Sequence, residues 1–442
     1  MAEQKLIRGI GLAQATALNI NNMTGIGPFL TLPLIIADMG GPQAMLCWIV
    51  GAVVALCDGQ VWAELAGRLP GSGGTYVFLR ESYGPHWGQL MSFLFIWQVC
   101  FQGPLSFAGG CIGFSDYFVY LFPSVTRWHQ AVAAGVALLV VYLLYRRIAA
   151  IGNMAAVFAV VALAALLFAI IAGVKNFQLA RLTDVPPGAF DITPKFWFGL
   201  GDASRRAIYA FLGYYNVCFI GDEVKNPSKT IPRAILLAVT IVGVLYIALY
   251  ATALGSIPWR EIAKMPYVAA EIAERAFGKT AGQGLAILIL GTAIASVSAL
   301  MLANSRVLYA AARDGRFFSF FARVHPEDSF PYVSLLSLGA VAIVFTFLPL
   351  KTVITSLVII RSTVQFMGQN IGLYLLRRNR PDLPMPFKMW LYPLPGIIAL
   401  LGWLFIFFTG RQFIALGGAF LVSGVIAFLM HQKTRREWPF VA

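Results

Sequence analysis

Apolar residues run along this chain in long unbroken stretches, separated by short polar segments where Arg, Lys, Gly and Pro collect. About 20 mostly apolar residues suffice for a helix to cross hydrocarbon. Inside lipid each backbone polar group must find its partner within the protein, so only helices and closed barrels span. The runs here are continuous rather than ten-residue alternations, which selects helices. The pattern predicts twelve spans, at 11–36, 42–67, 87–122, 129–146, 148–173, 198–223, 231–256, 283–313, 331–349, 352–376, 389–410 and 411–432. A short amphipathic helix near Tyr267–Phe277 is expected between spans 7 and 8. Little polar sequence is left over, so residues 1–442 read as one all-α integral membrane transport domain.

Composition supports this reading: 59% of residues are apolar and 12% charged, against about a quarter charged in ordinary soluble domains. The net charge of +14 is a topology signal and not a nucleic-acid footprint. With the spans placed as above, 19 Lys and Arg fall on one side and 10 on the other, with Arg205, Arg206, Arg306 and Arg361 inside spans. The richer side is cytoplasmic by the positive-inside rule. It carries both termini, predicting a multi-pass protein of the cell membrane whose contacts with lipid include a weak attraction to anionic headgroups. The first span is too long for a signal-peptide core and is expected to be retained. The five cysteines, Cys47, Cys57, Cys100, Cys111 and Cys218, form no CxxC pair and are expected to be packing thiols.

Two spans carry interruptions. Span 1 contains Asn19-Ile20-Asn21-Asn22-Met23-Thr24-Gly25-Ile26-Gly27-Pro28, and span 6 the milder Phe211-Leu212-Gly213-Tyr214-Tyr215-Asn216. Proline removes a helical hydrogen bond and glycine adds backbone freedom. Because the two lie five spans apart, they point to an inverted-repeat carrier, with repeats at about 11–173 and 198–376 and two extra helices at about 389–432. Unwound backbone frees amides for a carboxylate and carbonyls for an ammonium, and half-helix dipoles reinforce both. The plainer alternative is a pair of kinks satisfied by neighbouring helices.

The segment after span 2, Ala63-Glu64-Leu65-Ala66-Gly67-Arg68-Leu69-Pro70 followed by GSGGTYVFLRESYG (71–84), resembles the signature of the amino acid–polyamine–organocation superfamily. So do GIGPF (25–29), AFLGYYNVCFIGDEVKNPSKTIPRAI (210–235), NSRVLYAAARDGRFFSFFARVHPE (304–327) and LRRNRPDLPMPFKMWLYPLPG (376–396), in order along most of the chain. The resemblance implies a leucine-transporter-like fold, a 5+5 inverted repeat with broken helices 1 and 6 plus two more helices, and secondary transport by alternating access. It implies that the amides of Met23, Thr24, Gly25, Ile26 and Gly27 take a substrate carboxylate. The carbonyls of Phe211, Leu212 and Gly213 would take an ammonium, with Tyr214, Tyr215 and Asn216 shaping the pocket. Polyamine and dibasic carriers of this type place an acid after the span 6 glycine, where this chain has Tyr214 and Tyr215. A neutral amino acid is therefore the expected cargo, with a polyamine or an anionic amino acid as the alternative. Residues 148–173 hold no Lys or Arg where many members carry a lysine in place of sodium, which leaves H+, Na+ or exchange coupling open and no other cofactor expected.

Charges at bilayer depth are costly and mark function or pairing. Asp58 in span 2 and Glu223 at the end of span 6 are candidates for coupling or gating. Ser296 and Ser298 are candidates for a sodium site, or for interhelical hydrogen bonds. Arg361 lies nine residues into span 10, roughly 13 Å deep at 1.5 Å per residue, facing either the substrate or a structural ion-pair partner. Asp202, Arg205 and Arg206 can pair at helical spacing, and Asn226-Pro227 reads as a helix stop. Gln98 and Gln102, one turn apart in span 3, are candidate pocket lining. The four histidines fall in loops or at helix ends, and no HExxH, GxSxG or metal-ligand spacing occurs, so an enzyme is not expected. No filter-like loop suggests a channel. A solute sensor on a transporter fold is the remaining rival, and any protein partner is unknown.

Overall fold

The computed structural model describes residues 8–146, 155–326 and 330–439, and the elements among these are helical, with two isolated β-bridges and no strand. In chain order the helices of eight or more residues are α1 (Leu12–Met23), α2 (Gly27–Met39), α3 (Met45–Arg68), α4 (Thr75–Ser82), α5 (Gly84–Leu121), α6 (His129–Arg146), α7 (Ala155–Lys175) and α8 (Pro194–Phe211). There follow α9 (Pro227–Ser256), α10 (Val268–Phe277), α11 (Lys279–Arg313), α12 (Tyr332–Phe345), α13 (Leu350–Arg361), α14 (Gln369–Asn379), α15 (Leu394–Phe408) and α16 (Phe413–Arg435). Among the described residues seven helical units are long and apolar enough to cross a membrane, and α1 with α2 makes an eighth, bent by 45°. Val160–Lys175, α12 and α15 are shorter apolar helices. Residues 148–154, where span 5 was expected to start, lie outside the described residues.

The first break follows from its residues. Helix α1 ends at Met23, with the Thr24 N–H still donating to Ile20 O at 2.8 Å. The chain then restarts helix at Gly27-Pro28, and proline is tolerated in a first turn because those N–H groups have no intrahelical acceptor anyway.

The second break is more severe than the sequence suggests. Helix α8, opened by Thr193 accepting from Phe196 N–H and by Pro194, stops at Phe211. Leu212 turns to ψ 134° and Gly213 takes φ +122°, a region that favours glycine. The expected helix to 223 is absent; only two short 3-10 turns, Asn216–Phe219 and Gly221–Glu223, follow. Asn226-Pro227 accordingly stops nothing: Asn226 adopts φ +46° and Pro227 opens α9.

Two further departures bear on the site. Span 10 is α13 and α14 joined by a π-type wide turn, Ser362–Gly368, which begins directly after Arg361. Such turns recur at functional sites. The segment 71–84 contributes α4, and its Ser72 N–H donates to Asp222 Oδ2 while Asp222 N–H donates to Ser72 Oγ, both at 3.1 Å. Ile10 pairs with the same post-break segment through Glu223 O (3.0 Å) and Lys225 N (2.8 Å).

Charged groups buried within the helices are paired at two places. At one end Glu64 receives Arg377 (Nε 2.6 Å), Arg68 (3.2 Å) and Met389 N–H (2.9 Å), fastening the basic loop that precedes α15. At the other, Asp38 at the end of α2 takes Arg206 and Lys351 (3.2 Å), while Arg205 holds Asp202 at 2.5 Å and reaches Ile406 O at 3.0 Å. The expected Asp202–Arg205 pairing thus forms, and Arg206 turns to α2 instead. Removing one partner of such a buried pair costs about 3–5 kcal/mol. Among the described residues the five cysteines are free, with Cys57 and Cys100 only partly buried.

Candidate functional site

The two breaks face each other. A Cβ on Gly213 would stand 2.9 Å from the backbone of Asn22, and one on Gly25 would stand 2.8 Å from Ser296 Oγ. Tyr246 of α9 fastens the pair: its fully buried hydroxyl lies 2.7 Å from Met23 O and 3.2 Å from Ala210 O, one orphan carbonyl from each broken helix. Asn19 Oδ1 accepts Val217 N–H at 3.0 Å, tying α1 to the segment after the second break. A deficit of backbone bonding that would be expensive in hydrocarbon is thereby partly repaired from side chains.

Between the breaks lies a cavity with about 80 Å³ of room for water centres, where one water takes roughly 10–15 Å³. Asn22, Met23, Gly25, Ile26 and Gly27 line it from the first break, and Leu212, Gly213, Tyr215 and Asn216 from the second. Ser296 of α11 and Arg361 of α13 complete the set that the sequence singled out. Among the described residues the N–H groups of Gly25, Ile26 and Gly27 have no acceptor. They stand at the N-terminus of α2, the positive end of its dipole, while the negative C-termini of α1 and α8 border the same space. The backbone thus offers donors to an anion and a negative field to a cation within one small volume.

Arg361 is 7% exposed and is the charged residue of this lining. Its Nη1 donates to Tyr215 Oη at 2.8 Å, and its Nε has no partner. Tyr215 in turn stacks on Trp62 at 4.3 Å between ring centroids, which fixes the hydroxyl that Arg361 meets.

A family model described as "Amino acid permease" matches residues 10–430. The chain belongs to the amino acid permease family. It is 26% identical to the branched-chain amino acid permease BcaP of Bacillus subtilis over 98% of this chain and 94% of that protein. It is 24% identical to the serine/threonine exchanger SteT of the same organism over 91% and 90%. It is also 26% identical to the cationic amino acid transporter 4 of Mus musculus over 76% of this chain, a match that spans 54% of that longer protein. This permease is a multi-pass membrane protein and not an enzyme.

Several residues expected at the site stand elsewhere in the permease. The amide expected of Thr24 is already engaged: its N–H and its hydroxyl both donate to Ile20 O at 2.8 Å, and Thr24 stands outside the lining. Phe211 packs under the break against Trp48 and Tyr246. Tyr214 points the other way from Tyr215, donating to Asp58 Oδ2 at 2.5 Å, and Trp403 Nε1 donates to Asp58 Oδ1 at 3.1 Å. Asp58 is thus a buried acceptor behind the second break and does not line the cavity. Gln98 Nε2 donates to Gln102 Oε1 (3.3 Å) and Gln365 Oε1 (3.0 Å), linking α5 to the wide turn, while Gln98 Oε1 is buried without a partner and neither Gln98 nor Gln102 lines the cavity. Ser298 is buried but absent from the lining, because two residues on a helix turn about 200° from Ser296. Glu223 is exposed, with its carbonyl accepting Ile10 N–H.

The cavity also uses residues that sequence reasoning passed over. Tyr209 precedes Gly213 by one turn, and Leu357 precedes Arg361 by one turn. Ser106 and Gly110 follow Gln102 by one and two turns, and Val297 and Leu300 neighbour Ser296. The i, i+4 rule applied outward from each nominated residue would have found most of them.

Proposed function

We propose that this permease is a secondary active transporter that carries an amino acid across the cell membrane by alternating access, with the cavity between the two breaks as its substrate site. The observation that carries the proposal is the set of unbonded N–H groups of Gly25, Ile26 and Gly27, set against two helix C-termini on one cavity. Those amides take the α-carboxylate, and the C-terminal carbonyl ends of α1 and α8 take the α-ammonium. The zipped contacts of Ile10, Ser72 and Asp222 close the path on the Glu64 side, which the excess of Lys and Arg marks as cytoplasmic. Opening that side requires these contacts to part. The chain is arranged as twelve spans in a 5+5 inverted repeat with two added helices, and both termini are cytoplasmic. Coupling is to H+, to Na+ or to exchange.

The backbone half of the site recognises what all α-amino acids share. A neutral side chain is the expectation from Tyr215, which lines the cavity after the span 6 glycine, supported by relatives named for branched-chain amino acids and for serine and threonine. A second reading, an anionic side chain, is favoured by Arg361 and is taken up below.

Countertransport in proteoliposomes tests the carrier: labelled amino acid uptake is followed against unlabelled amino acids inside, with and without Na+ and pH gradients. Stimulation by particular internal amino acids is expected. Uptake that never saturates and ignores internal amino acid would indicate a channel, and ligand-induced thermal stabilisation with no uptake would indicate a sensor.

A further inference from the structure

We propose that Arg361 is a specificity-determining residue that selects amino acids bearing a second, anionic group on the side chain. This rests on the reading of the cavity as the substrate site and names the class of substrate that site takes.

A guanidinium has five N–H donors and no way to become neutral at ordinary pH. Arg361 has one donor engaged, on the Tyr215 hydroxyl, and its Nε is unpartnered although the residue is more than nine-tenths buried. No carboxylate lies within ion-pair distance of it among the described residues. Arg205 and Arg206 also leave an Nε without a hydrogen-bond partner, but each has a carboxylate: Arg205 has Asp202, and Arg206 has Asp38. Arg68 has Glu64. Asp58, the acid near the second break, is committed to Tyr214 and Trp403. Burying a charge without a counter-charge is expensive unless a ligand supplies one.

The α-carboxylate of the substrate is not the natural counter-charge. The unbonded amides at the N-terminus of α2 answer it, and the α-ammonium is balanced by the C-termini of α1 and α8. With the zwitterion accounted for by backbone, Arg361 is a surplus cation on the cavity wall. A dicarboxylic amino acid brings one further negative charge, and its flat carboxylate matches the guanidinium fork bidentately. A neutral amino acid of the same shape leaves the arginine uncompensated, and a cationic one adds repulsion.

The test uses the full-length purified protein in proteoliposomes and compares L-glutamate and L-aspartate with their uncharged isosteres L-glutamine and L-asparagine as inhibitors of labelled L-glutamate uptake. Truncating one partner of a buried hydrogen-bonded charge pair costs enough to change affinity about 30-fold or more. L-Glutamate is therefore expected to act at about 30-fold lower concentration than L-glutamine, and R361Q to collapse that ratio toward one. R361K, which keeps the charge without the fork, retains part of the discrimination. Equal potency of glutamate and glutamine on the natural protein overturns the inference. So does an R361Q variant, folded by size-exclusion chromatography, that loses both amino acids in proportion, since Arg361 would then hold the α-carboxylate or the packing. If neither variant folds, the natural protein's selectivity decides. Carriage of neutral amino acids alone defeats this inference and spares the carrier. Carriage of none defeats both.

Discussion

Gly213→Ala isolates the close approach of the two breaks with one methyl group. Gly213 sits at φ +122°, where an L side chain is strained by about 1–3 kcal/mol. The added Cβ would also stand 2.9 Å from the carbonyl carbon, Cβ and oxygen of Asn22, at least 0.5 Å inside ordinary contact at 3.4 Å. Main chain cannot rotate away as a side-chain tip can, so the breaks must separate, adding about 1–3 kcal/mol of overpacking. The sum is about 2–6 kcal/mol, and the separation falls where Asn22 and Gly213 line the cavity. A displacement of that order in a binding constellation is worth up to about a hundredfold. The assay pairs thermal unfolding in detergent with countertransport, using Gly291→Ala as the control. Gly291 lies inside α11 with nothing within 4 Å of its Cβ position, so alanine there should gain about 0.5–1 kcal/mol by helix propensity. A Gly213→Ala protein as stable and as active as Gly291→Ala would refute the argument that the breaks touch at this glycine.

Other substitutions follow from the same geometry. Gly25→Ala meets only Ser296 Oγ, at 2.8 Å, with Ser296 Cβ at a tolerable 3.4 Å; it should reduce uptake less than Gly213→Ala, and adding Ser296→Ala should restore part of the loss in the same assay. Tyr246→Phe strips the hydroxyl from Met23 O and Ala210 O at a fully buried position, which should cost about 1–3 kcal/mol, read as a lower midpoint in detergent unfolding. Glu64→Gln leaves Arg68 and Arg377 facing each other without their shared carboxylate; a loss of about 3–5 kcal/mol is expected, measured as reduced folded yield by size-exclusion chromatography.

Hydropathy and backbone chemistry were legible in the sequence to different depths. The long spans could be read because residence in lipid is a property of some twenty residues at once, and α6 begins where its apolar run does. The first break could be read because Asn22, Gly25, Gly27 and Pro28 crowd into two turns. The second was understated, since Val217, Cys218, Phe219 and Ile220 after Gly213 are as apolar as any helix and hydropathy does not distinguish helix from 3-10 turn. Burial alone says less at Gln98 and Gln102: Gln98 Nε2 donates to Gln102 and to a third amide, Gln365, and none of the three lines the cavity. Thr24 and Tyr214 stand in the right segments and face away, because direction changes residue by residue once the helix is lost. Arg361 is the opposite case. Its depth followed from counting residues, whereas its meaning depends on what surrounds it. Arg205 and Arg206 show how this chain treats buried guanidinium groups elsewhere, giving each an aspartate within its own fold. A protein that pairs those two and leaves Arg361 with a tyrosine hydroxyl on the wall of its central cavity leaves the remaining charge to be supplied by what the cavity receives.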